Sequence, residues 1–136
     1  MIDVTCALII DNQNRLFAAQ RSSEMSLPLK WELPGGKIES NESAEECLIR
    51  EIKEELNIEI GIVKNLPSNT YSYPSITINL IPFVCKHIKG GITLKEHADF
   101  KWLNTFELLD LDWAEADVPI LYHYLNYFNA IHLRNL

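Results

Sequence analysis

Three glutamates lie close together in the segment ECLIREIKEELNI. Glu51, Glu54 and Glu55 are spaced i, i+3, i+4, so on a helix their side chains project from one face. Carboxylates at that separation repel one another, which raises their pKa values unless a cation balances them. A purely carboxylate set favours Mg²⁺ or Mn²⁺, which prefer oxygen ligands, over zinc. The spacing therefore predicts either a divalent-cation site or a solvated acidic face.

The segment WELPGG, which precedes these glutamates, could cover them closely. Pro34, Gly35 and Gly36 together predict a break in regular structure. Glycine has no Cβ, so the backbone there can approach a ligand or a neighbouring side chain. Arg50 could orient the carboxylate of Glu51 through a fork of hydrogen bonds. These residues favour a metal site and leave the acidic-face interpretation open.

The glutamates need a helix to position them, and the sequence predicts one from about Ala44 to Leu56. Ser43 and Glu46 have the spacing of a capping box at its start. Asn57 follows the last turn and can adopt the left-handed conformation of a helix C-cap. The side predicted to face the core consists of Leu48, Ile49, Ile52 and Leu56.

The remaining elements alternate between strands and helices. A hairpin is predicted from strands 4–10 and 16–20, and a loop from residues 21–30. Pro82 lies inside a predicted strand, which suggests a sheet edge or a bulge. A short helix is expected in TFELLDL and a final helix over 115–128, with Pro119 in its first turn. Further strands are predicted over 58–63, 69–73, 76–87 and 100–103. Interspersed strands and helices predict an α/β sandwich with a mixed sheet.

Composition narrows the function classes. The chain has 136 residues, a net charge of −7 and an apolar content of 47%, which fits a single domain over 1–136. The acidic balance argues against long nucleic acid as a partner. Three widely spaced cysteines argue against a disulfide framework or structural zinc and favour a reducing cytoplasm. We expect no signal peptide and no membrane span, and the sequence leaves monomer and homodimer open.

The glutamate segment resembles the signature of the Nudix family. Gly36, five residues, Glu42, seven residues and then Arg50 to Ile58 match Gly-x5-Glu-x7-Arg-Glu-U-x-Glu-Glu-x-Gly-U, where U is aliphatic. The last glycine is replaced by Asn57, which can take the same cap conformation. The resemblance extends over nearly the whole chain and is strongest to the MutT-like branch. It implies a Nudix-type α/β/α sandwich and a hydrolase that converts nucleoside triphosphates into monophosphate and pyrophosphate.

The resemblance also implies the metal chemistry. Mg²⁺, or Mn²⁺ as a substitute, would bind at the glutamate face and lower the pKa of bound water. Either Glu51 or Glu96, the latter in LKEHADFKW, would deprotonate the attacking water, and Glu54 and Arg50 complete the implied catalytic set. The implied metal ligands are the Gly35 carbonyl, Glu51, Glu54, Glu55, Glu96 and Glu42.

Two of the expected substrate-binding residues, Arg21 and Asp117, follow from the same resemblance. LFAAQRS resembles the second strand, whose arginine, here Arg21, meets substrate phosphates. Lys37 could also contact phosphate. EADVP resembles the start of the last helix, where Asp117 would read the nucleobase, and Leu33 and Tyr73 could stack on it.

Asp117 carries the substrate hypothesis. An ionised aspartate only accepts hydrogen bonds, so it would favour a base edge that is rich in donors. Cytidine nucleotides, namely CTP, dCTP or 5-modified dCTP, are therefore expected, with 8-oxo-dGTP as the rival. The alternative is that Asp117 only caps the last helix.

Two further functions stay open. The chain could be a non-catalytic nucleotide-binding module of the same fold, although such modules typically lose the box glutamates or arginine. A dinucleotide substrate, such as ADP-ribose or a diadenosine polyphosphate, would need a second nucleotide half-site, and no insertion in the sequence indicates one.

Overall fold

A computed structural model describes residues 1–134, so residues 135 and 136 of the expected domain lie outside the described part. The eight strands are β1 (Ile2–Ile10), β2 (Leu16–Gln20), β3 (Trp31–Glu32), β4 (Gly35–Lys37), β5 (Glu59–Asn65), β6 (Asn69–Tyr73), β7 (Ile76–Lys89) and β8 (Asp99–Leu103). The two α-helices are α1 (Ala44–Leu56) and α2 (Val118–Arg134). Short 3₁₀ helices span Thr105–Asp110 and Glu115–Asp117.

The strands form one mixed sheet around β1. β1 pairs in parallel with β7 from Ile2↔Ile78 to Ile10↔Lys86. On its other edge β1 pairs antiparallel with β2 and with β4. The main strand order is β3-β2-β1-β7-β5, while β8 pairs with β2 and β6 pairs with β7. β1 thus lies at the centre of the sheet and also pairs with β4, the strand that contains Gly35 and Gly36.

The two helices cover opposite faces of this sheet. Alternate residues of β1 point to opposite faces, as the period of a strand requires. Leu8 packs in a core with Ile120 and Tyr124 of α2. Ile9 packs in a second core with Leu48 of α1 and its neighbours. The expected α/β/α sandwich with a mixed sheet is confirmed.

Helix α1 forms as local sequence signals predict. Ser43 accepts a hydrogen bond from the Glu46 backbone, and the Glu46 side chain accepts one from the Ser43 backbone, which completes the capping box. Asn57 has φ 57° and ψ 35°, the left-handed C-cap conformation. The prediction for Ile49 is wrong, because its side chain is 43% exposed. The buried side of α1 is centred on Leu48, Ile52 and Leu56 and is completed by Cys47, since the small thiol faces β4.

Two other local predictions are wrong for reasons of long-range pairing. Gly35 and Gly36 do not break the chain, since they form β4 against Cys6 and Thr5 of β1. Pro82 lies within an interior strand. Its missing N–H falls at the gap between β5, which ends opposite Phe83, and β6, which begins opposite Leu80.

The last helix begins three residues later than expected, at Val118, because residues 115–117 form a separate 3₁₀ turn. TFELLDL is helical over Thr105–Asp110, but as a 3₁₀ helix. Within residues 1–134, neither helix has the length and apolar content needed to cross a bilayer.

The left-handed cap at Asn57 predicts a specific stability effect. Asn57→Ala should destabilise the protein by about 1 kcal/mol, because an alanine Cβ is strained in this conformation. Asn57→Gly relieves that strain, so the Gly variant should be more stable than the Ala variant by about 1 kcal/mol. Urea unfolding of both variants checks this, and equal midpoints for the two would contradict the cap assignment.

Candidate active site

Arg50 gathers the carboxylates of the glutamate face. Its Nε and Nη2 donate to the two oxygens of Glu42 at 3.0 and 2.7 Å. Its Nη1 donates to Glu51 at 3.0 Å and to Glu54 at 3.4 Å. The fork of hydrogen bonds to Arg50 lowers the pKa of Glu42 to about 2. Arg50 therefore keeps Glu42 ionised and partly offsets the repulsion between the other two carboxylates.

Glu55 lies beyond the reach of this guanidinium. Its Oε2 is buried and has no hydrogen-bond partner among the described residues. Burial, together with the negative charges of Glu51, Glu32 and Glu96, raises the pKa of Glu55 to about 8. A buried carboxylate without a partner is costly in a fold, and a bound cation is one way to satisfy it.

The two glycines of β4 are needed for close contact rather than for an unusual backbone conformation. A Cβ on Gly36 would lie 2.3 Å from Cδ of Glu51. A Cβ on Gly35 would lie 2.0 Å from the carbonyl oxygen of Thr5. The Thr5 hydroxyl donates to the Gly36 carbonyl at 3.1 Å, which fixes the peptide that covers Glu51. The expected close approach of backbone to the glutamate face is present.

Whether a divalent cation fits here depends on the oxygen atoms that the glutamates and the β4 backbone offer as ligands. Among residues 1–134, no three His, Cys, Asp or Glu side chains already surround one point as metal ligands. Two of the carboxylates involved are instead turned to Arg50, and the Glu54 side chain is 53% exposed. The carboxylates and the Gly35 carbonyl offer only oxygen atoms, and Oε2 of Glu55 has no hydrogen-bond partner among the described residues. This chemistry fits a hard divalent cation after side-chain rearrangement.

A cleft of about 580 Å³ opens beside the glutamate face and joins two groups of predicted residues. The first group, Arg21, Gly35, Glu55 and Glu96, contains the charged residues and the glycine expected to meet metal and phosphate. The second group consists of Leu33, Tyr73 and Asp117. The structure does not place Glu42, Arg50, Glu51, Glu54 and Lys37 in the cleft wall; the first four form the network at α1, and Lys37 is exposed on β4.

Hydrogen bonds of Asp117 and its neighbour Ala116 hold the second group of cleft residues in place. Its Oδ2 accepts a hydrogen bond from the Leu33 backbone at 2.8 Å. The hydroxyl of Tyr73 accepts one from the Ala116 backbone at 3.0 Å. Burial raises the pKa of Asp117 to about 8, against the lowering effect of the Leu33 hydrogen bond. Burial therefore favours the protonated carboxyl of Asp117, whereas the sequence analysis expected the ionised form.

Two residues of the cleft escaped the sequence analysis. Glu32 Oε1 accepts from Arg21 Nη1 at 2.7 Å, and Glu32 Oε2 contacts His97 Nε2 at 2.7 Å. Each residue is adjacent to a predicted one, since Glu32 precedes Leu33 and His97 follows Glu96. No spacing along the chain connects them, so only the pairing of strands could find this contact.

Comparisons with known proteins cover this whole site. A model of the NUDIX domain matches residues 1–124. CTP pyrophosphohydrolase of Escherichia coli K12 is 32% identical over 121 residues, which are 89% of each chain. The 8-oxo-dGTP diphosphatase of Proteus vulgaris is 33% identical over 95 residues, or 70% of this chain and 85% of that one. The solution structure of the E. coli ORF135 protein superposes with a TM-score of 0.84 at 30% identity, covering 96% and 92% of the two chains.

The two adjacent glycines predict opposite outcomes on substitution. Gly35→Ala should destabilise the protein by about 3 kcal/mol, because the new Cβ meets rigid backbone of β1. Gly36→Ala should be tolerated better, because the Cβ meets the end of the Glu51 side chain, which can rotate away. Urea unfolding measures both effects. Equal losses would contradict the different roles given to the two positions.

Proposed function

This chain belongs to the Nudix family of hydrolases, and we propose that it is a Mg²⁺-dependent nucleoside triphosphate pyrophosphohydrolase acting on cytidine nucleotides, CTP, dCTP or 5-modified dCTP. The products are the nucleoside monophosphate and pyrophosphate. The observation that carries the choice of substrate is the buried carboxyl of Asp117 in the cleft wall, which accepts a 2.8 Å hydrogen bond from the Leu33 backbone and whose pKa burial raises to about 8. We assign this activity to residues 1–136 as a single domain.

The edge of cytosine supports this choice. Cytosine presents an amino donor beside the N3 acceptor. A neutral carboxyl also pairs one donor with one acceptor, since its O–H can donate to N3 while its carbonyl oxygen accepts from the amino group. Leu33 N–H already binds Oδ2 of Asp117, which leaves the other oxygen to carry the proton. Leu33 and Tyr73 line the cleft together with Asp117 and could contact the base.

Divalent metal ions serve Nudix hydrolases generally, and Mg²⁺ bound here would offset phosphate charge and acidify bound water. Glu51, Glu54, Glu55, Glu96 and the Gly35 carbonyl would hold it, with Glu42 as a supporting or further ligand. Glu51 or Glu96 would accept the proton of the attacking water. Arg50 would orient Glu51, with which it forms a 3.0 Å hydrogen bond. Arg21, at the cleft wall, and Lys37 would bind phosphate oxygens.

8-oxo-dGTP is the second candidate, and the ionised form of Asp117 favours it. The N1 and amino groups of an oxidised guanine are two adjacent donors, which suit a carboxylate that only accepts. The relative from Proteus vulgaris carries the name 8-oxo-dGTP diphosphatase, and the relative from E. coli carries the name CTP pyrophosphohydrolase. The protonation of Asp117 distinguishes the two substrates in this chain.

A substrate panel with Mg²⁺ tests the activity. CTP, dCTP, 5-methyl-dCTP, 8-oxo-dGTP and ADP-ribose are compared by kcat/KM, with separate assays for pyrophosphate and orthophosphate. We expect pyrophosphate release with a cytidine nucleotide as the best substrate. Glu54→Gln should lower kcat by about 100-fold or more, because it removes a charged metal ligand.

Glu45→Gln is the matched control, since Glu45 is exposed in the first turn of the same helix. It should retain the turnover of the wild type. Near-normal turnover in the Glu54→Gln variant would refute the proposed metal site. Orthophosphate release, or AMP release from ADP-ribose as the fastest reaction, would refute the proposed reaction.

The pKa of Asp117 predicts a pH-dependent preference. As pH rises through about 8, the ratio of kcat/KM for CTP to that for 8-oxo-dGTP should fall, because the carboxyl loses its donor. Asp117→Asn keeps a donor and an acceptor at every pH, so its ratio should stay high. That variant also controls for titration of the nucleotides.

Stability gives an independent measure of the same titration. The pKa of Asp117 is raised in the folded state, so its favourable contribution is complete below about 3.8 and is lost as pH rises through about 8. The difference in melting temperature between wild type and Asp117→Asn should therefore shift in favour of the variant over this range. A constant difference between pH 4 and 9 would refute the protonated state.

A further inference from the structure

Glu32 bridges two side chains that come from different parts of the chain. Its Oε1 accepts from Arg21 Nη1 at 2.7 Å, and its Oε2 accepts from His97 Nε2 at 2.7 Å. The exposed fractions of the three side chains are 20% for Arg21, 19% for Glu32 and 4% for His97. A carboxylate in this setting holds both neighbours more firmly than a surface ion pair would.

The sheet brings these residues together. β3 and β8 flank β2 on opposite edges, with Gln20 opposite Trp31 on one side and Asp99 on the other. Arg21 follows the end of β2, Glu32 is the last residue of β3, and His97 precedes β8. The three therefore meet at one end of three neighbouring strands, next to the cleft.

The segment that carries Glu96 is anchored on both sides of that residue. Lys95 N–H donates to the Glu55 carbonyl at 3.2 Å, and Ala98 N–H donates to the Gln20 carbonyl at 2.9 Å. The His97 ring adds a side-chain anchor through Nε2, whereas its Nδ1 is buried with no partner among the described residues. Glu32 is thus the hydrogen-bond partner that fixes this ring. The Glu96 side chain itself stays exposed at the cleft.

Arg21 is held in place by some of its N–H donors, while others remain free to bind a ligand. Its Nε and Nη2 donate to the carbonyl and hydroxyl of Ser26, and its Nη1 donates to Glu32. A guanidinium has five N–H donors, so these three bonds hold its plane while two donors remain for phosphate oxygens. The Glu32 contact therefore orients Arg21 and leaves it able to bind a further anion.

We propose that Glu32 is a positioning residue that, through its bonds to Arg21 and His97, fixes the phosphate-binding arginine relative to the segment that presents Glu96. The functional part of this role rests on the proposed function, whereas the anchoring of residues 95–98 does not. Removal of the Glu32 negative charge alone would favour binding of an anionic triphosphate. Loss of the negative charge should lower KM, whereas loss of the positioning of Arg21 should raise it. The direction of the change in KM therefore distinguishes a charge effect from a positioning effect.

Three variants test the role. His97→Phe keeps an aromatic ring but removes the Nε2 hydrogen bond, so kcat for CTP should fall about 10-fold with little change in KM. Glu32→Leu releases Arg21 as well, so kcat should fall by a similar factor and KM should rise. His97→Gln offers an amide donor to Glu32 and should recover most of the lost kcat.

Amide hydrogen exchange provides a measurement that needs no substrate. In Glu32→Leu and His97→Phe, the amides of Lys95 and Ala98 should exchange faster than in the wild type, because their segment loses an anchor. His97→Gln should restore slow exchange. Should Glu32→Leu fail to fold, His97→Phe and its Gln counterpart still decide the outcome.

Two variants at positions that do not line the cleft serve as matched controls. Asp11→Leu removes a carboxylate that binds Arg15 at 2.8 Å in the β1–β2 turn. His87→Phe removes a ring nitrogen that contacts the Gly90 carbonyl at 2.7 Å. Neither should change exchange at Lys95 and Ala98, nor kcat.

The outcomes separate the two proposals. If the wild type hydrolyses no nucleoside triphosphate, the proposed function fails, and hydrogen exchange still decides whether Glu32 anchors the segment. Unchanged exchange in both cleft variants overturns the anchoring role. Faster exchange with unchanged kcat and KM overturns the positioning role, as does a lower KM in Glu32→Leu.

Discussion

The arrangement at the C-terminal half of α1 depends on how one guanidinium is shared among crowded carboxylates. Arg50 binds Glu42 through two hydrogen bonds and contacts Glu51 and Glu54 through its remaining terminal nitrogen. One cation cannot neutralise three anions, so the local charge stays negative. The fold accommodates this excess by exposing Glu54 to water and by covering Glu51 with glycine backbone instead of a side chain. The same negative charge makes the site suitable for a divalent cation.

Burial and nearby negative charge also raise the pKa values of two carboxyl groups that line the cleft. Glu55 and Asp117 both line it, and burial is the main cause of the raised pKa of each. The negative charge of Glu32 raises the pKa of both. The guanidinium of Arg21, which is paired with Glu32 at 2.7 Å, lowers the pKa of Asp117.

Predictions from the sequence succeed where the signal is local. The bounds of α1, its capping box and the left-handed Asn57 depend on residues within one turn of each other, and all three are confirmed. The α/β/α layering is confirmed as well. Ile49, Pro82 and the two glycines were mispredicted because contacts distant in sequence decide them. Helix α1 packs against β4, β4 pairs with β1, and Pro82 lies at the gap between β5 and β6. The bond between Glu32 and His97 joins positions 65 residues apart, so no local pattern contains it. The protonation of Asp117 depends on burial, which the sequence does not specify.

The segment from Leu33 to Gly36 connects Asp117 to the glutamate face. Its first residue donates to Asp117, its second accepts a 2.8 Å hydrogen bond from Ala7 N–H, and its last covers Glu51. Gly35 and Gly36 are held in β4 because they pair with Cys6 and Thr5 of β1. The connection between the buried carboxyl and the glutamate face is therefore made by backbone rather than by flexible side chains. Asp117 belongs to a 3₁₀ turn outside the sheet. A substitution there changes a side chain of the cleft wall, while β4 remains paired with β1.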